Sequence, residues 1–314
     1  MKRAIAALLI AAAPSIALAA TTRAQMLMGT ICQITVPDES ARAIDLAFAE
    51  GKRIDDLLST WRDDTPLARL NHGDESVVSA ELFGILNETV EWTKKTGGAF
   101  NPLVAPLIDA WQIRGNGAIP TAEALKAARE KAELANVELT SPHGVVLKNG
   151  AAVDPGGFGK GYAIDRMLDV LKRHEATFAQ INFGGQIGVY GDQPFVTVAD
   201  PNHRDKPFLG VLLTGRSIST SSGSEKSFTV DGRTFTHIVD PRTGEALPPW
   251  GSVSVIAKRA FMADMLSTAL YVMGPDKGLE WAKAHNINAI FITADGKVLT
   301  SGTITSLEVL GKEK

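Results

Sequence analysis

The chain has 314 residues, 45% of them hydrophobic and 21% charged, enough to bury a sizeable core in one elaborate domain or two closely joined ones. Its 32 Lys and Arg stand against 35 Asp and Glu, a formal net charge of −3, which excludes a broad basic face for nucleic acid or for an anionic membrane. Cys32 is the only cysteine, so neither an internal disulfide nor a cysteine-built metal centre can form.

Residues 1–20 open with Lys2 and Arg3, continue through an uncharged apolar run, and carry small residues at cleavage spacing (Ala17, Leu18, Ala19). This pattern reads as a secretory signal peptide, with residues 21–314 as the mature chain. Pro14 and Ser15 interrupt the run short of the ~20 apolar residues that a bilayer span needs.

Residues 30–36 alternate as a strand and stop at Pro37. A long amphipathic helix is expected over 40–61, where Ile44, Phe48, Gly51, Ile54, Leu58 and Trp61 recur at steps of three and four. Leu82, Leu86 and Val90 mark a second helix that Gly97-Gly98 ends, and Thr121 is the expected N-cap of a third. After about Gly144 the character changes to strands, glycine turns and two helices. Residues 226–230 and 233–239 form a hairpin across Asp231-Gly232, and residues 289–293 and 297–300 form another across Asp295-Gly296. Residues 261–273 read as a buried helix stopped by Gly274-Pro275. Helices early and hairpins later, without βαβ alternation, predict an α+β fold.

Three segments carry candidate chemistry. In residues 153–165 (VDPGGFGKGYAID) a β-like run ends at Asp154, and a glycine loop leads into a helix. Such a loop is either a plain strand-to-helix turn or a ligand loop whose amides, with Lys160, favour a phosphate. It is not a Walker P-loop, because Asp154 and Gly161 replace its first Gly and its Ser or Thr. Asp264 and Thr268 are four residues apart and share one helix face. They read either as a cap or satisfied buried pair, or as a carboxylate and hydroxyl suited to a hard cation such as Mg2+. His237 sits where a strand runs into the turn chemistry of residues 240–244 (DPRTG), as a general base, a ligand contact or a structural hydrogen-bonder.

Taken together these pieces resemble the FAD:protein FMN transferases, the ApbE-like family. The resemblance covers Met28-Gly29-Thr30, residues 57–71 (LLSTWRDDTPLARLN), 97–111 (GGAFNPLVAPLIDAW) and 153–165. It continues, in the same order, through 181–191 (INFGGQIGVYG), 217–223, 237–244 (HIVDPRTG) and 263–274. It implies an ApbE-like, T-fold-related α+β architecture of mixed or antiparallel sheets with packed helices. Met28, Trp61 and the backbone of Ala99, Phe100 and Asn101 would line the FAD site, Asp154 and Lys160 would contact the flavin nucleotide, and His237 and Ile238 would lie close to it. Asp264, Thr268 and the backbone carbonyl of Gly157 would hold Mg2+, with Asp264 and His237 as catalytic groups. Asn101 and Trp61 stand where members commonly carry Asp and Tyr.

The implied reaction joins the FMN half of FAD to a Thr or Ser hydroxyl of a partner protein and releases AMP. The implied acceptor is a subunit of an electron-transfer complex. The competing readings are an FAD pyrophosphatase giving FMN and AMP, and a non-catalytic periplasmic FAD-binding protein. The leader segment and the absence of a lipobox predict a soluble periplasmic protein, with inner-membrane association as the alternative.

Overall fold

The computed structural model describes residues 19–191 and 194–310. Residues 1–18 of the expected signal peptide lie outside the described residues. Among those described, no helix is long and apolar enough to cross a membrane.

The chain opens with a hairpin of β1 (Ala20–Leu27) and β2 (Thr30–Pro37). Its two-residue turn places Met28 at φ 44° and Gly29 at φ 75°, the left-handed pair whose twist matches that of the flanking strands. Helices α1 (Ala43–Leu58), α2 (Pro66–His72), α3 (Ala80–Lys95), α4 (Ala105–Ala110) and α5 (Ala122–Lys131) follow. The small hairpin β3 (Val137–Thr140) and β4 (Gly144–Leu147) precedes α6 (Gly159–Arg173). Then come β5 (Ala179–Phe183), β6 (Gln186–Tyr190), β7 (Phe195–Ala199), β8 (Pro207–Leu212), β9 (Ser217–Ser222), β10 (Ser227–Val230), β11 (Arg233–Thr236) and β12 (Gly251–Ala257). The chain continues with α7 (Ala260–Met273), α8 (Pro275–Ala284), β13 (Asn288–Thr293), β14 (Val298–Ser301) and β15 (Leu307–Val309).

An eight-stranded sheet in the order β1-β2-β5-β6-β9-β12-β13-β14 organises the molecule, and every pairing in it is antiparallel. Helices α6 and α7 pack on one face and α1 lies against α6. Along β13, Ala289 and Phe291 enter this main core, while Ile290 and Ile292 point into a second core beneath the β15-β8-β7 sheet. All seven residues of β12 are therefore buried, which is why that strand reads as a continuous run with no polar face to water. A third cluster, built on Trp111, Leu107, Phe235 and Val239, ties the β10–β11 hairpin to α4 and α5.

The α+β architecture holds, with several local differences. The first long helix is shorter than the expected 40–61: Ser59 turns to ψ 136°, where its carbonyl accepts a 2.6 Å bond from Thr65 Oγ1. Trp61 therefore leaves the helix, and Thr65 caps the unanticipated α2 by accepting from the Ala68 N–H. Gly274 and Pro275 do end α7, yet Pro275 also starts α8, so three helices follow Gly144 instead of two. The β-like run before the glycine loop is not a strand. The Asn71 side chain takes the place of a strand neighbour, bonding both the N–H and the carbonyl of Val153 at 2.8 and 2.9 Å. β11 stops at Thr236, so His237 stands just beyond it, on the loop and not within the strand.

Candidate active site

The glycine segment and α7 meet face to face. Asp154 caps a single 3₁₀ turn at Pro155–Gly157, accepting from the Gly156 N–H at 2.8 Å, and α6 begins two residues later. A Cβ on Gly157 would lie 3.3 Å from Thr268 Oγ1 and 3.4 Å from the Phe100 ring. One on Gly161 would lie 2.4 Å from the Ala260 carbonyl oxygen and 2.8 Å from Asp264 Cβ, so only hydrogen fits there. The glycines thus serve close helix approach, and the approach delivers Asp264 and Thr268 to the loop.

Asp264 is buried, with Oδ2 accepting from the Gly161 N–H at 2.9 Å and Oδ1 from Gln186 Nε2 at 2.6 Å. Burial pushes its carboxyl up to about 6, against the opposing pull of the Lys160 charge. Thr268 Oγ1 donates to the Asp264 main-chain carbonyl at 3.3 Å. Lys160, on the first turn of α6, has its ammonium 3.8 Å from Glu225 Oε1, both groups being half-buried.

His237 is half-buried, and its Nδ1 lies 3.1 Å from the Lys226 carbonyl oxygen. A carbonyl only accepts, so Nδ1 carries the proton and Nε2 keeps a free lone pair. Burial holds the imidazole below its ordinary 6.5, with Glu225 pulling the other way. Thr236 Oγ1 accepts from the Ile238 N–H at 3.1 Å, and Trp111 Nε1 donates to the Gly244 carbonyl at 2.8 Å, fixing both ends of the loop that carries the histidine.

A second group borders the first through Asp154. Arg114 donates to Asp154 Oδ2 at 2.5 Å and to Thr60 Oγ1 at 3.0 Å, and its guanidinium lies 5.0 Å from the centre of the Trp61 ring. Trp61 is 73% exposed, which leaves an aromatic face free for a planar ligand. Met28, at its hairpin turn, brings its methyl to 3.4 Å from where a Gly159 Cβ would stand.

Ala99, Phe100 and Ile238 are buried. The Asn101 side chain donates to the Ala132 carbonyl and accepts from the Leu103 N–H, at 2.8 and 2.9 Å, so a ligand contact there would use its backbone. Asn101 also lines a surface cavity of about 490 Å³ with Gly97, Gly98, Arg129 and Arg242, whose lining shares no residue with the Asp264 cluster.

Arg114, Gln186 and Glu225 had no assigned role in the sequence reading. Each joins the site through a partner more than 35 residues away along the chain, and no local pattern marks such a pairing. Among the described residues no three His, Cys, Asp or Glu side chains form a metal cluster. What the cluster offers a cation is oxygen: the buried Asp264 carboxylate, the Thr268 hydroxyl and the Gly157 carbonyl, next to a buried Gln186 Oε1 that has no hydrogen-bond partner among the described residues. That donor set fits a small hard cation that keeps waters and phosphate oxygens as its other ligands.

The profile of the ApbE family matches residues 28–291. An FAD:protein FMN transferase of Treponema pallidum is 32% identical over 322 residues, covering 92% of this chain and 89% of its own length. One from Escherichia coli is 27% identical over 290 residues, covering 86% and 83%. Among solved structures, the ApbE protein of Thermotoga maritima superposes with a TM-score of 0.83 at 27% identity, over 90% of this chain and 97% of its own. The apo form of the Pseudomonas stutzeri flavinyl transferase ApbE gives 0.78 at 24% identity, over 91% and 95%, a likeness of fold. With the profile spanning most of its length and a relative above 30% identity along nearly all of it, the chain belongs to the ApbE family.

Proposed function

We propose that this chain binds FAD and transfers its FMN half to a Thr or Ser hydroxyl of a partner protein, releasing AMP. The observation that carries this reading is the convergence of Asp264 and Thr268 on the glycine segment, with Lys160 and the His237 loop beside them. The relatives named above carry the same activity in their names.

Mg2+ held by Asp264, Thr268 and the Gly157 carbonyl would supply positive charge to offset the charge that builds on the pyrophosphate during displacement. The chain does the rest. The start of α6 presents backbone N–H groups, and Lys160, half-buried beside Glu225, adds a positive charge toward the phosphates. The Trp61 ring, backed by Arg114, offers a stacking surface to one of the two ring systems of FAD. His237 Nε2 takes the proton of the attacking hydroxyl, because its tautomer is set by the Lys226 carbonyl. The hydroxyl oxygen then bonds to the flavin-side phosphorus, the bridging P–O bond breaks, and AMP departs with the bridging oxygen.

By the family resemblance the acceptor would be an electron-transfer subunit, and the leader sequence supports export to the periplasm, where the two would meet. Incubation with FAD, Mg2+ and a candidate acceptor is expected to add one FMN to the acceptor by intact mass, with one AMP per label. AMP without labelling would replace this reading with a pyrophosphatase, and neither product would reduce it to flavin binding.

A further inference from the structure

The Asp264 carboxylate has a second support that the reaction above does not use. Gln186 opens β6 immediately after a turn in which Gly184 and Gly185 take φ 63° and 92°. That turn sends the Gln186 side chain from the sheet to α7, where Nε2 donates to Asp264 Oδ1 over 2.6 Å. The Gly161 N–H holds Oδ2 over 2.9 Å. One carboxylate oxygen is tied to the sheet and the other to α6, so its rotation is arrested from two sides. Gln186 and Asp264 are 6% and 3% exposed, which leaves bulk water little room to substitute for either bond.

The far end of the same amide is unsatisfied. Gln186 Oε1 is buried and has no hydrogen-bond partner among the described residues, although buried acceptors in folded proteins nearly always have one. Exchanging the amide's oxygen and nitrogen does not remove the problem. It would aim a carbonyl at the Asp264 carboxylate and leave two donors unpaired instead. The unpaired oxygen is therefore open to a donor from water or ligand, beside the buried Asp264 carboxylate of the site.

We infer that Gln186 is a positioning residue for the cation site: its N–H aims the Asp264 carboxylate, and its free oxygen accepts a hydrogen bond from water on the cation. The inference rests on the metal reading proposed above. Groups that orient a metal-binding carboxylate typically change metal affinity about 10–100-fold, and a small hard cation that retains waters gives an outer acceptor something to bind.

Mn2+ alone, titrated into the purified protein and counted by the EPR signal of the free ion, tests this without turnover. Gln186→Met fills a similar volume but neither donates nor accepts, and should weaken Mn2+ binding about 10–100-fold. Its melting temperature should fall, because the buried Asp264 Oδ1 loses its donor, so the affinity is read on the folded fraction. Gln186→Glu restores oxygen acceptors and should bind Mn2+ more tightly than Gln186→Met. A merely structural role would lower the melting temperature of both variants and leave the affinity of the folded fraction alone. Should Gln186→Met fail to fold, Gln186→Asn, one methylene too short to reach Asp264, carries the same expectation for Mn2+ affinity. If the Gln186 variants bind Mn2+ like the wild type while Asp264→Asn does not bind, the inference falls and the metal reading stands. If the wild type and Asp264→Asn behave alike, the metal reading falls and takes this inference with it.

Discussion

The backbone N–H of Gly161 donates to Asp264 Oδ2 across 2.9 Å, and a Cβ on Gly161 would lie 2.8 Å from Asp264 Cβ. One glycine thus joins the first turn of α6 to the helix that carries the acidic group. Gly161→Ala would also drive its methyl to 2.4 Å from the Ala260 carbonyl oxygen, a backbone atom that cannot rotate away. The two helices must separate, at a cost of about 1–3 kcal/mol. Thermal unfolding should report the lower stability, and Mn2+ affinity should fall with it. An unaltered melting temperature would contradict the close approach.

Asp264→Asn keeps the side chain's size and removes its charge. Burial raises the Asp264 carboxyl to about 6, so the variant is relieved of a costly charge. Its NH2 group, however, meets a donor, either the Gly161 N–H or Gln186 Nε2. These oppose each other, and the melting temperature should change little. FMN transfer should nevertheless drop by on the order of 100-fold or more, as expected for loss of a preorganised electrostatic group. Comparing melting curves with AMP release separates the two effects.

His237 titrates below its ordinary 6.5 because burial disfavours the imidazolium. A base needs the neutral ring, and lowering the pKa extends that form toward acid. The acid limb of the transfer rate should therefore lie below pH 6.5, with activity rising as pH rises through the lowered value. His237→Gln should remove that limb and lower the plateau by roughly 100-fold or more. A limb that persists in the variant would assign it to another group.

Arg53 bonds both Glu50 and Glu81, joining α1 to α3, and its bonds are the first cause holding each carboxyl below the ordinary 4.5. A depressed carboxyl contributes stability in full above its unfolded value, and that contribution is lost as pH falls through the folded value. The stability gap between wild type and Arg53→Met should therefore be widest above pH 4.5 and close progressively below it. Denaturant midpoints at several acid pH values provide the check, and a gap independent of pH would assign the effect to packing.

Trp111→Phe retains most of the ring volume in the third cluster but leaves the Gly244 carbonyl without its 2.8 Å donor. A loss of about 1–3 kcal/mol is expected. Transfer activity should suffer as well, because the loop from His237 to Gly244 loses its far anchor. Unchanged stability would mean that water replaces the indole N–H.

Elements with strong local signals were legible before the fold. Thr121 caps α5 by accepting from the Ala124 N–H at 3.2 Å, Asp231-Gly232 turns the β10–β11 hairpin, and Gly274 ends α7 at φ 80°. Each depends only on neighbours in the chain, as caps and tight turns do. The exit of Trp61 from α1 was not legible, because the bond from Thr65 to the Ser59 carbonyl overrides a periodic apolar pattern. The missing strand before the glycine loop has a similar cause: the Asn71 amide satisfies Val153 from 82 residues away.

The sequence by itself determined which residues carry the chemistry types and which share a face: Asp264 and Thr268 one turn apart, the glycine segment with Lys160, and His237 ahead of its turn. It also determined the family, because the order of many short motifs survives without reference to shape. Only the tertiary structure decided which carboxylate each donor side chain faces. Arg114 pairs with Asp154, Lys160 with Glu225, and Gln186 with Asp264. Those pairings arise when a twisted antiparallel sheet and two helices close over one another. A side chain's electrostatic partner is set by that closure through space, and distance along the chain carries no record of it.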